Sequence, residues 1–186
     1  MSTPIATPVV KGDPVLRFLA LAAGLYLGWY LLFEFAIHPN GWLDKAAINS
    51  LLNWASAILR ALGYELIPEP ANAENIRTIG VQGGHLLWIG DPCNGIGLFA
   101  VYLIFLAAYP GPWEHKLWFA PLGVLSIHLI NALRVAALCI IVKYDYELLN
   151  FNHDYTFYVI VYGWVFLLWI IWVLRYAKAS NARPSA

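Results

Sequence analysis

The sequence predicts an all-α membrane protein of about four transmembrane helices, with an extracytoplasmic interfacial helix and a short β-hairpin. Three observations carry that expectation. Of 186 residues, 61% are apolar and only 12% charged, where a soluble domain carries about 25% charge. The apolar residues gather into long, nearly uncharged runs. Between the runs stand turns rich in proline, glycine or charge. The lipid bilayer is therefore the expected solvent. Lys plus Arg and Asp plus Glu both number 11, so no basic excess suggests a nucleic-acid partner. Two cysteines, Cys93 and Cys139, are too few for a disulfide framework.

Residues 1–14 hold several prolines and small polar side chains and are expected to form a flexible cytoplasmic tail. A single transmembrane domain is expected over 15–176. Its first span, 15–37, is interrupted only by Arg17 and Glu34, one near each end. About 20 residues cross a ~30 Å hydrocarbon core. The run exceeds a secretory h-region and lacks a small-x-small site after it, so it is read as a retained helix. Over 46–62, Ile48, Leu51, Leu52, Ala55, Ile58, Leu59 and Leu62 recur at helical spacing. Asn49, Asn53, Ser56 and Arg60 occupy the other face. That pattern suits a helix lying in the interface, with a fifth span as the alternative.

Tyr64 to Asn75, with Pro68 and Pro70, reads as a loop. The β-branched residues of 76–90 flank Gly83-Gly84, which suggests a hairpin with a two-residue turn. The remaining spans are expected over 93–109, 117–142 and 155–174, followed by a basic cytoplasmic tail over 177–186. With four spans, Lys11, Arg17, Lys116, Arg175, Lys178 and Arg183 share one side. Most acids lie on the other, with Lys45, Arg60, Arg77 and Lys143. Positive residues favour the cytoplasm, so both termini are expected there.

This topology brings the chemically capable residues to the extracytoplasmic face. Arg134 lies within an apolar span, eight residues before its end at Val142, or about 12 Å below the outer terminus. A charge there costs at least ~2.5–3.5 kcal/mol on insertion scales and usually faces a polar cavity. The alternative is a structural pair with Glu34 or a loop acid. Asn131, three residues earlier, shares that side of the helix and could bond the Arg or a substrate carbonyl. Cys93 sits in Gly-Asp-Pro-Cys-Asn-Gly-Ile-Gly. Asp91 could cap the helix with Pro92 at its first position. Cys93 would then occupy the first turn, where dipole and free N–H groups favour the thiolate. Gly95 and Gly97 would let a substrate backbone approach. The alternative is a buried cysteine acting as a small hydrophobe.

His153, at the entry to the last span, suits a general base for the thiol proton, with Asn152 or Asp154 orienting it. The alternative is an interfacial histidine bonded to water. His128 is expected to be packed and hydrogen-bonded. His85 could contact substrate, and His38 and His115 read as ordinary interfacial residues. A thiol nucleophile, an imidazole base and a cationic oxyanion partner together make an acyl-transfer site. Cys139 is expected to pack. No cofactor is called for, and Cys93, His153 and Asp91 lack metal-ligand spacing.

Cys93-Asn-Gly-Ile-Gly at a helix start, Asn131-Ala-Leu-Arg134 in the next helix and His153 before the last resemble the exosortase/archaeosortase family, over roughly Ile76 to Leu174. The resemblance implies a membrane-embedded cysteine protease–transpeptidase with Cys93, Arg134 and His153 catalytic. Asn94, Gly95, Asn131 and Asp91 would support them. It implies as partners exported proteins with a C-terminal recognition motif, a hydrophobic helix and a basic tail. The new C-terminus would pass to an envelope acceptor. The chain departs from the family at Asn94, where many members carry Ser, and in its compact body. Two other readings remain: a membrane thiol–disulfide oxidoreductase using Cys139, and a non-catalytic factor for export or polysaccharide assembly.

Overall fold

A computed structural model describes residues 13–68, 77–151 and 157–177. It contains six α-helices and a two-stranded hairpin among these residues. His153, its neighbours Asn152 and Asp154, and both terminal tails lie outside the described residues, as does the stretch 69–76.

Helix α1, Pro14–Leu32, starts where the Asp13 side chain accepts the Val15 N–H at 2.9 Å, with Pro14 in the first turn. A proline costs nothing there, since its missing N–H would have no helical partner. The helix continues through a π turn, Phe33–Ile37, and a 3-10 turn, His38–Asn40. No residue of α1 is buried. Its leucines stay exposed, Leu16 at 66% and Leu32 at 54%. A helix apolar on every side, touching the rest of the protein along one strip, matches a lipid solvent. Phe18 supplies that strip, edge-on to Phe105 and Tyr109 of the neighbouring helix.

Helix α2, Trp42–Ala61, begins earlier than the amphipathic pattern suggested. It buries Ile48, Leu51, Leu52, Ala55 and Leu59 and leaves Asn49, Asn53 and Arg60 exposed. Strands β1, Thr78–Ile79, and β2, Leu87–Trp88, pair antiparallel, with Thr78 opposite Trp88 and Ile79 opposite Leu87. The turn differs from the expected one. It spans Val81–Gly84, closed by the Gly84 N–H on Val81 O at 2.9 Å. Gln82 and Gly83, rather than Gly83 and Gly84, are its central pair. Leu66 also bridges to Val81, so part of the expected loop lies beside the sheet.

Helix α3, Ile96–Ala108, is short, and α4, Trp113–Tyr144, is long. A four-residue helix α5, Leu148–Phe151, precedes α6, Phe157–Ile171, which ends in a π turn, Trp172–Ala177. Three segments are long and apolar enough to cross a membrane: Pro14–Asn40, Trp113–Tyr144 and Tyr158–Ala177. With the shorter apolar α3, they make the chain an all-α membrane protein.

Two cores meet along α4. Its C-terminal half packs with α2 and the hairpin through Ala132, Val135, Ala136, Leu138, Cys139 and Val142. Its N-terminal half packs with α3 and α6 around Tyr102, Phe119, Ile127 and Trp172. Gly123 makes the α3–α4 contact possible. A Cβ there would lie 2.1 Å from the Tyr102 hydroxyl, which donates to Phe119 O at 2.7 Å. Buried Lys116 donates to the carbonyls of Ala107 and Tyr109, closing the open end of α3.

A candidate thiol site between the hairpin and two helices

Cys93 ends a 3-10 turn, Asp91–Cys93, that follows β2 through Ile89 and Gly90. Its N–H donates to Gly90 O at 3.0 Å. The expectation that Cys93 occupies the first turn of α3 is corrected: the α-helix starts at Ile96. Gly95 intervenes at φ +84, a conformation that favours glycine and breaks helical continuity. Gly95 is the N-cap residue, and Asn94 just before it accepts the Ile96 N–H on its Oδ1 at 2.8 Å. Asp91, the expected cap, instead pairs with Arg77.

Two long-range bonds pin this turn from either side. Asn131, fully buried on α4, donates from Nδ2 to Cys93 O at 2.8 Å. Asn94 donates from Nδ2 to Asp44 Oδ1 at 2.7 Å. Asp44 is itself buried on α2, and its Oδ2 lies 2.9 Å from His38 Nδ1. Gly95 lies against the same amide; a Cβ there would sit 3.2 Å from Asn131 Nδ2.

Arg134 follows Asn131 by less than one turn. Its Nη1 lies 3.4 Å from Asn131 Oδ1, a long contact. Its guanidinium carbon stands 6.0 Å from the centre of the Tyr158 ring. Its Nε is buried with no hydrogen-bond partner among the described residues. No described carboxylate forms an ion pair with Arg134, so the structural pairing with Glu34 is not seen. Arg134 and Cys93 line one cavity of about 410 Å³. β2 forms one wall and Val135 and Leu138 of α4 another, and Tyr146 and Leu149 also line it. A thiol and a guanidinium lining one partly polar hollow can bind and polarise a carbonyl.

The family model described as transmembrane exosortase (Exosortase_EpsH) matches residues 4–176. The chain belongs to the transmembrane exosortase family. No curated protein matches it, and no solved structure does.

In this exosortase, Cys139 is buried in the α2–α4–hairpin core, its sulfur 3.9 Å from Ile79 O, and does not line the Cys93 cavity. His128 bonds Ser50 Oγ at 3.0 Å. His85 stacks edge-on against Tyr146 at 5.0 Å. The sequence pattern does not single out Asp44, and His38 reads there as an ordinary interfacial residue. Both belong to the chain of bonds that fixes the Cys93 turn. One local signal was present: an acid in the first turn of an amphipathic helix, with a histidine six residues earlier.

Proposed function

We propose that the chain is a membrane cysteine peptidase–transpeptidase that processes the C-terminal sorting signals of exported proteins. The single observation that carries this reading is the shared cavity of Cys93 and Arg134, in a chain of the exosortase family. The Cys93 thiolate attacks the scissile carbonyl carbon. The carbonyl electron pair moves to oxygen, and Arg134 holds the resulting oxyanion. His153, having taken the thiol proton, returns it to the leaving amine as the C–N bond breaks. The thioester that remains is opened by an acceptor amine or by water. Support for His153 comes from its described flanks: Leu149 lines the cavity and Tyr158 lies beside Arg134. Asn131 and Asn94 position the cysteine turn, Gly95 leaves room for the Asn131 amide against it, and Asp91 braces it through Arg77.

The test co-expresses the chain with an exported protein ending in a motif, a hydrophobic helix and a basic tail, and follows the size of that protein. Cys93→Ala leaves it full length. Arg134→Ala and His153→Ala each slow processing by roughly 10²-fold or more, the scale of losing an oxyanion donor or a general base. Cys139→Ala processes normally, because its sulfur is outside the cavity; the oxidoreductase reading requires the opposite. Processing that survives Cys93→Ala, Arg134→Ala and His153→Ala overturns the mechanism.

A further inference from the structure

Strand β2 has one edge on β1 and one edge on the cavity. Ile89 N–H donates to Arg77 O at 2.7 Å, and Ile79 faces Leu87. Bonded and non-bonded pairs alternate along an antiparallel ladder. Arg77–Ile89 and Ile79–Leu87 are therefore the bonded pairs, and Thr78–Trp88 is not. The N–H and C=O of Trp88 consequently point away from β1. Just past β1 the opposite edge of the hairpin is already occupied: Ile67 N–H donates to Gly80 O and Gln82 N–H to Glu65 O. Among the described residues no strand pairs with the outer edge of β2.

That outer edge runs along the Cys93 cavity. Leu86, Leu87, Trp88 and Ile89 all line it. Successive side chains of a strand point to opposite faces. A cavity touched by four in a row therefore follows the strand's edge instead of lying over one face. Beyond Ile89 the chain turns through Gly90 straight into the turn that bears Cys93. Native edges are usually blunted by charge or proline, yet Leu86 to Gly90 contains neither.

We propose that the outer edge of β2 is the platform for the substrate's recognition segment. An extended peptide adds as a further strand beside Leu86–Ile89, bonded through the Trp88 N–H and C=O. It carries its scissile carbonyl along the cavity to Cys93. The inference rests on the cysteine-peptidase reading and specifies how that site holds its substrate. A peptide is the occupant because the edge offers one donor and one acceptor at main-chain spacing, which extended amides match. Exposed Leu86 and Trp88, at 45% and 67%, give alternate substrate residues apolar contacts.

The test measures alkylation of Cys93 in the full chain held in lipid nanodiscs, with the modified site located by mass spectrometry. Two probes are compared: acetyl-Ala-Ala-Ala chloromethyl ketone, which can pair along the strand, and iodoacetamide, which cannot. Trp88→Pro removes the outward N–H but no β1 bond, a change that an edge position tolerates. Trp88→Ala keeps that N–H. Trp88→Pro should lower the ratio of peptide-probe to iodoacetamide rate about tenfold, the scale of one or two backbone hydrogen bonds. Trp88→Ala should fall less. A probe N-methylated at one or other inner amide should lose a similar factor on the unaltered chain. That comparison decides the matter even where Trp88→Pro fails to fold. A ratio insensitive to N-methylation at both inner amides overturns the platform. Failure of the cysteine reading would look different: tail processing would survive Cys93→Ala whatever the alkylation ratio.

Discussion

Asn131 reaches two functional groups with one amide. Its Nδ2 bonds the carbonyl of Cys93, and its Oδ1 faces the guanidinium of Arg134. Being fully buried, it has no water to replace a lost partner. Asn131→Leu should lower stability by about 1–3 kcal/mol through the carbonyl left unpaired. Thermal melting of the purified protein reads that loss. Tail processing should fall further than melting alone accounts for, since the cysteine turn loses its tie to α4. The Asn131–Arg134 relation was legible, because both lie on one helix at a fixed spacing. The tie from Asn94 to Asp44 was not, because 50 residues separate them and no local pattern announces such a bond. Asp91 misled for a related reason. An acid followed by proline has the local form of a helix start, and only the distant Arg77 claims that carboxylate for another purpose.

Among the elements, the apolar runs fixed where helices lie far better than where they begin. Composition over 20 or so residues decides whether a segment is helical in lipid. A boundary hangs on one dihedral, and at Gly95 the left-handed turn delays α3 past the cysteine. The α3–α4 contact offers a sharper test of packing. A methyl group at Gly123 would overlap the Tyr102 ring as well as its hydroxyl. Gly123→Ala should cost about 1–3 kcal/mol, the usual penalty of overpacking. Replacing Tyr102 with Leu should relieve most of that cost, a coupling that a double-mutant cycle on melting temperatures measures. Additive losses would mean that the two residues do not press on each other.

For the molecule as a whole, α4 is the shared wall of both cores, and the cysteine cavity opens beside its C-terminal half. The membrane class was readable from hydropathy because lipid imposes one strong rule on composition. The convergence of Cys93 and Arg134 depended on how helices pack, which hydropathy does not encode; family motifs pointed to it. Orientation rests on the charge asymmetry of the loops. If the basic ends lie in the cytoplasm, a membrane-impermeant maleimide added to intact cells should label Cys93, and labelling should vanish in Cys93→Ala. Labelling that requires permeabilised cells would reverse the assigned orientation.

The brevity of α3 reaches beyond the protein. Its 13 residues rise about 20 Å, against a hydrocarbon slab of ~30 Å. Backbone outside a helix lies at membrane depth only where protein or water satisfies it. Here Asn131 and Lys116 take carbonyls at the two ends of α3. Where α3 crosses the bilayer, its shortness is a mismatch with the slab. Hydrophobic mismatch of this kind is relieved by thinning the surrounding lipid. On the proposed peptidase reading, the acyl-chain length of the host membrane becomes a parameter of the site, setting how far a tethered tail must rise before its cleavable bond meets sulfur.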